Sequence, residues 1–399
     1  MLADKYQDYM YNLVRKAIDE IGPRPACSEA EKKLGRSLAE EWRPICDRVD
    51  TESFTCRPGA FLGVIRLSVV LCLASIVLYW FYPFAALVMA ALSLTTLVLE
   101  LVRYREFIDF LFLPEQGENV VGTISPRGET KRRVIVSAHL DSAYEFRLWR
   151  LFGSAAVPLM SFAVLGILIA LGGSLVKTIA YLGGSENATA YTVVGIVMAA
   201  FSPVAALFLF FLSDKAVPGA MDDMSGIALL AGLGKSLGES GGSGGFYPQS
   251  TEVVLLATSS EEAGLRGAKR YVKKHLAEMK KTPTYAIFVE STADERHLTA
   301  VTGELFTGAK HDRGLVEMAQ KIAASHGWPI KSKPIPLGAS DASAFSKKGI
   351  RATCLISQDT TRLVPNYHTR EDTLEHIRPE ALSVSLQIVI EMIQRIDNA

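Results

Sequence analysis

The sequence predicts an α/β fold, a mostly parallel central sheet flanked by helices, interrupted by two inserted hydrophobic helical hairpins. Three observations predict it. Short apolar, β-rich runs at 133–138, 252–257, 285–289 and 352–356 alternate with helical patterns at 225–237, 265–279, 314–326 and 379–396. Two long stretches, 61–102 and 151–213, are almost free of charge. Of the 399 residues 49% are hydrophobic, and the mean hydropathy is +0.21, an excess that these two stretches absorb.

Taken in chain order, MLADKYQDYMYNLVRKAIDEIG reads as an amphipathic helix; its scattered charges exclude the apolar core of a cleavable signal peptide. No residue from Leu67 to Leu99 is charged. At about 20 apolar residues per span, the stretch 61–102 holds two, 61–80 and 84–102, with Trp80, Phe81, Tyr82 and Pro83 at an interfacial turn. The strand at 133–138 follows. Uncharged runs Leu151–Val176 and Asn187–Ser213, separated by Lys177 and Glu186, supply two more spans. Buried core helices of a soluble protein are the alternative, but uncharged runs beyond about 18 residues mark a membrane. Residues 1–60, 103–150 and 214–399 are then one domain, with 61–102 and 151–213 as transmembrane hairpins. Gly238–Gly245 reads as a surface loop, lacking the GK[ST] ending of a phosphate cradle. Asn187-Ala188-Thr189 matches a glycosylation sequon and receives no role.

With 42 basic and 42 acidic residues, zero net charge offers no electrostatic basis for nucleic acid binding. Cys27, Cys46, Cys56, Cys72 and Cys354 contain no CxxC pair, which favours free thiols and a reducing compartment.

Acids and histidines concentrate at predicted strand ends, where open α/β sheets place ligands. VIVSAHLDS carries His139, a candidate metal ligand, and Asp141, whose carboxylate could orient the ring. GAMDDMSG places Asp222 and Asp223 before a helix, where simple capping is the plainer reading. After TEVVLLATSS come Glu261 and Glu262, a repelling pair that a metal or a tuned proton acceptor would justify. YAIFVEST ends on Glu290, and NYHTREDT carries His368. His275, His297, His311, His326 and His376 stand in charged or helical-surface contexts and read as solvated. Together His139, Asp222, Glu262, Glu290 and His368 suit a pair of zinc ions, leaving Glu261 as a base for amide hydrolysis.

The motifs AHLDS (138–142), GAMDDMSG (219–226), SSEEAGLRGA (259–268), GASDASAF (338–345) and YHTREDT (367–373) resemble, in that order, the zinc peptidases of family M28. IGPRPACSEAEKKLG (21–35) and NVVGTI (119–124) resemble it too. The resemblance implies a zinc aminopeptidase-like fold, peptide substrates and two zinc ions. In it Asp222 bridges the ions, His139 and Glu290 complete one site, Glu262 and His368 the other, and Glu261 is the general base. Glu290 stands where many members carry aspartate, and Ala342 where a histidine is frequent. The second hairpin falls between His139 and Asp222, so its ends should emerge near the active site.

Two other functions fit parts of the pattern. A single-zinc glutaminyl-cyclase-like acyltransferase needs only Asp222, Glu262 and His368; an intact His139 speaks for a second ion. A non-catalytic membrane receptor or scaffold would be expected to lose ligands or Glu261, and none is lost. The expected topology is four spans in the lipid bilayer with the catalytic domain and both termini cytoplasmic.

Overall fold

A computed structural model describes residues 2–185, 187–240, 246–359, 361 and 364–399. The strands are β1 (Arg48–Cys56), β2 (Glu115–Ile124), β3 (Arg132–His139), β4 (Tyr144–Phe146), β5 (Leu212–Ala216), β6 (Thr251–Thr258), β7 (Thr284–Thr292), β8 (Leu298–Glu304), β9 (Ala309–Lys310), β10 (Lys331–Ile335) and β11 (Arg351–Ser357). The α-helices are α1 (Gln7–Glu20), α2 (Glu29–Trp42), α3 (Gly59–Leu78), α4 (Pro83–Leu97), α5 (Arg147–Phe152), α6 (Ala156–Leu182), α7 (Ala188–Leu207), α8 (Ser225–Ser240), α9 (Arg266–Lys281), α10 (Arg313–Ser325), α11 (Ala342–Ser346) and α12 (Pro379–Asp397). The chain divides into two compact units, one of Met1–Pro58, Pro114–Tyr144 and Ala216–Ala399, the other of Gly59–Leu113 and Glu145–Lys215.

The first unit is built on a nine-stranded sheet, counted over the described residues, in the order β1-β2-β6-β3-β7-β11-β8-β10, with β9 beside β8. Its centre, β6-β3-β7-β11, is parallel, and β1, β2 and β8 run antiparallel to their inner neighbours. The four apolar runs of the sequence are these four central strands, buried on both faces as parallel strands must be. Alternate residues serve opposite layers: Val134, Val136, Val253, Leu255, Ile287 and Val289 pack in the core with α1, α2, α8, α10 and α12, whereas Ile135, Val254, Leu256, Ala286, Phe288 and Cys354 pack with α9 and α11. The helix at 225–237 extends to Ser240, so the expected loop begins later than Gly238; its residues 241–245 lie outside the described set.

Among the described residues, the second unit contains four helices long and apolar enough to cross a membrane: Gly59–Leu78, Pro83–Val102, Arg147–Leu182 and Ala188–Phe210. The turn between the first two lies at 79–82, one helical residue earlier than the aromatic-proline cluster suggests. The third runs longer than the uncharged stretch from Leu151. Hydroxyls hold the first pair together, Ser75 Oγ donating to the Ala86 carbonyl at 2.8 Å and Ser93 Oγ to that of Ser68 at 2.7 Å. Val70, Val77, Val176, Ile179, Val193 and Ile196 are left exposed. Asn187 caps α7, accepting the Ala190 amide at 3.1 Å.

Candidate metal centre

All seven residues singled out by the sequence belong to the first unit, on the ends of β3, β6 and β7 and on the loops before α8 and α12. These are carboxyl ends of parallel strands, where chains diverge and backbone groups face a common cleft. His139 ends β3. Its Nδ1 lies 3.0 Å from the Asp141 carbonyl and 3.4 Å from the Asp141 carboxylate. Its Nε2 lies 3.2 Å from Asp222 Oδ1. His368, in the left-handed region at φ 53°, brings its Nε2 to 3.1 Å from Asp222 Oδ2 and 3.2 Å from Glu262 Oε1. One carboxylate thus meets a different imidazole on each oxygen.

Asp222, Glu262 and His368 offer donor atoms all within 4.8 Å of one another; among the described residues no other group of three does. Glu290 is partly exposed at the end of β7 and outside that spacing. Its carboxyl is pushed well above the usual range by burial, which the nearby His139 opposes and the Asp223, Asp341 and Asp222 charges reinforce. Glu261 is raised well above the usual range for the same first reason, with His139 again opposing and Glu262, Glu290 and Asp341 adding to the rise. Burial would lower His368, but Glu262 and Asp222 prevail and lift it to about 10.

The donor chemistry fits a cation. A His139 that donates Nδ1–H to the Asp141 carbonyl turns its Nε2 lone pair onto a carboxylate oxygen, an arrangement that only a proton or a metal ion between them makes favourable. Glu262 Oε1 is buried beside His368 Nε2 at 3.2 Å, and a buried carboxylate in a site already crowded with acids is costly unless a cation balances it. Two imidazoles and three carboxylates are hard and borderline donors of the kind that bind zinc.

Residues around the centre hold these groups by backbone bonds. The two oxygens of Asp141 accept the amides of Glu261 and Glu262, both at 3.0 Å, so this carboxylate fixes the glutamate turn. Asp372, raised to about 7 by burial, accepts the amides of Met221 at 2.8 Å and Asp222 at 3.1 Å. Asp223 joins three elements, accepting the amides of His139 at 3.1 Å, Gly226 at 3.1 Å and Ser291 at 3.2 Å. A Cβ on Gly226 would stand 2.5 Å from both Asp223 oxygens and from the Val289 carbonyl. Asp341, raised to about 7 by burial, accepts the Thr258 hydroxyl at 2.6 Å.

Arg24 and Glu31 carry no role in the sequence reading. Arg24, completely buried, donates to the carbonyls of Leu140 at 3.0 Å, Gly22 at 2.8 Å, Pro218 at 3.0 Å and Gly219 at 2.9 Å. It thereby ties the loop after His139 to the loop before Asp222. Glu31 accepts the amides of Cys27 at 2.7 Å and Ser260 at 2.8 Å. Only their place in the 21–35 segment hinted at either. His311, expected in solvent, is instead buried, its Nε2 3.2 Å from Glu304 Oε1 and its Nδ1 2.9 Å from Ser346 Oγ. Its flanking charges suggested a surface, but its ring closes a polar network beneath the 340–346 turn.

Residues 202–393 match the model of peptidase family M28. That span takes in Asp222, Glu261, Glu262, Glu290 and His368 and leaves His139 outside. Aminopeptidase NAALADL1 of Rattus norvegicus is 24% identical over 227 residues, 51% of this chain. The chain spans only 30% of that curated relative's length. Among solved structures, an aminopeptidase from Aneurinibacillus sp. strain AM-1 superposes with a TM-score of 0.57 at 14% identity, covering 98% of this chain and 93% of that one. A zinc aminopeptidase from Bacillus subtilis gives 0.57 at 15% identity, covering 98% and 95%. A glutaminyl cyclase from an Acidobacteriales bacterium gives 0.56 at 15% identity, covering 98% and 94%.

Proposed function

We propose, starting from the chain's place among the zinc metallopeptidases of family M28, that it is a membrane-anchored aminopeptidase working with two zinc ions. The observation that carries this reading is Asp222, whose two oxygens face His139 and His368 separately at 3.2 and 3.1 Å. His139 and Glu290 would hold one ion, Glu262 and His368 the other, and Asp222 both. Zinc bound there polarises a peptide carbonyl and makes water acidic enough to be a nucleophile near neutral pH. Glu261, held beside the centre through its backbone bond to Asp141, takes the proton from the attacking water and returns it to the leaving amine. A mixed-peptide library digested by the purified protein in detergent, with and without a chelator, tests the activity. Trimming from amino termini that the chelator abolishes is expected; internal cleavage or none overturns it.

A second reading, a single-zinc acyltransferase of the glutaminyl cyclase type, is favoured by the tight grouping of Asp222, Glu262 and His368 alone. Conversion of an N-terminal glutamine peptide without trimming would support it.

The four apolar helices anchor the enzyme in the bilayer. The sheet takes strands from before, between and after the two insertions, so each insertion crosses the membrane and returns. Arg57, Arg103, Arg105, Arg147, Arg150 and Lys215 flank the spans on the enzyme's side, against Lys177 near a far-side turn, and such an excess stays cytoplasmic.

A further inference from the structure

Cys27 and Cys56, 29 positions apart, bring their sulfurs to 2.9 Å. Cys27 sits in the turn before α2 with φ 64°, Cys56 ends β1, and both are buried. Their sulfurs also share one neighbour, Ser260 Oγ, at 3.3 and 3.8 Å. Ser260 is itself left-handed, φ 61°, and immediately precedes Glu261. The Glu31 carboxylate links the same two backbones, taking the Cys27 amide on one oxygen and the Ser260 amide on the other. The pair is therefore built into the segment that braces the glutamate turn.

We propose that Cys27 and Cys56 are a redox modification site, at which a hydroperoxide converts the two thiols into a disulfide that fastens the Arg24–Glu31 segment to the end of β1. The sulfurs need to close from 2.9 Å to about 2.05 Å, a movement of less than an ångström in a turn whose other residues, Pro25, Ala26 and Ser28, are partly exposed. In the reaction one thiolate sulfur attacks the peroxide, the O–O bond breaks, and hydroxide leaves as water after taking a proton, giving a sulfenic acid. The second sulfur then attacks the first, the S–O bond breaks, and a second water leaves. Two thiols are oxidised by two electrons in all, and one hydrogen peroxide is reduced to two waters.

Cys56 differs from the other cysteines of the first unit, including its partner Cys27, whose thiol the contact with Cys56 and burial push well above its usual range. The Cys56 thiol is held below its usual range, chiefly by the hydrogen bond from Cys27. Burial instead lifts Cys46 to about 12 and Cys354 well above its usual range. Peroxide reacts with thiolates, so attack is selective for this site.

The test uses the zinc-loaded full-length protein in detergent, treated with hydrogen peroxide, alkylated, digested without reductant and mapped by mass spectrometry. A Cys27–Cys56 cross-linked peptide is expected, with a Tm several degrees higher that dithiothreitol brings back, because the bond closes a loop of the unfolded chain. The C27S variant should show no Tm rise and a Cys56 sulfenic acid that dimedone traps. Recovery of both cysteines separately alkylated from the folded wild type overturns the proposal, as does a cross-link to another cysteine or an equal Tm rise in C27S. The mapping requires no variant and no activity, so its failure is separable from failure of the peptidase reading.

Discussion

Replacing Asp372 with Asn probes how the centre is held without touching a ligand. The carboxylate accepts two buried amides, Met221 at 2.8 Å and Asp222 at 3.1 Å. An Asn side chain keeps one acceptor oxygen and turns an NH₂ toward the other amide. One charge-assisted bond, about 1.5–3 kcal/mol, is lost, and a buried N–H is left without an acceptor. The backbone of Asp222 is then free to shift, and loss of a group that orients a ligand weakens metal binding about 10–100-fold, which is about 1.4–2.8 kcal/mol. Competition of wild type and Asp372→Asn against a fluorescent zinc chelator measures this, with thermal unfolding of the metal-free proteins run beside it. A lowered metal-free Tm with zinc affinity within twofold of wild type would show that Asp372 serves the fold alone and refute the reasoning.

Glu261→Gln should retain zinc and fold while kcat falls by about 10²–10⁴; loss of zinc from this variant would mean that Glu261 and Glu262 have exchanged roles. Asp397 should contribute to stability in mild acid: burial raises its carboxyl, but the Gln249 and Ser250 amides outweigh that and hold it below the usual value. A depressed pKa stabilises the fold above the unfolded value, about 3.9, and that stability is lost as pH falls through the folded value. Asp397→Asn should therefore destabilise at pH 6 and lose its difference from wild type toward pH 3, and a difference that persists unchanged into acid would contradict this. For the topology, Ser185→Cys in intact cells should react with an impermeant maleimide while Glu129→Cys does not. The reverse pattern would overturn the orientation.

Sequence reading recovered the central sheet because β3, β6, β7 and β11 are buried on both faces and so are written in unbroken apolar residues. It missed β1 and β10, whose sequences RVDTESFTC and KSKPI carry the polarity of strands at the two edges of the sheet, and also β2, β8 and β9; β2 and β8 are largely buried, but their sequences EQGENVVGTI and LTAVTGE mix polar residues and glycine among the apolar ones. The four long apolar helices were visible because their sequences run far without charge, although their ends were not: Glu100 is buried where the second of them ends and accepts the amides of Phe107 and Ile108, a local contact that composition does not show. Candidate ligands stood out as acids and histidines at the ends of apolar strands. Arg24 and Glu31 did not, because each is satisfied largely by backbone groups distant along the chain, and nothing in a sequence announces which carbonyl or amide a side chain will meet. His311 failed for the related reason that a histidine among charged neighbours looks the same whether it faces water or a buried glutamate.

The two-ion reading of Asp222 is tested most directly by elemental analysis of the purified protein at saturating zinc, for wild type and for His139→Ala. Two zinc ions per chain in wild type and one in the variant, with Asp222→Ala losing most of both, is the predicted result. One zinc per chain in wild type and in His139→Ala alike would contradict it and favour the single-ion centre of Asp222, Glu262 and His368.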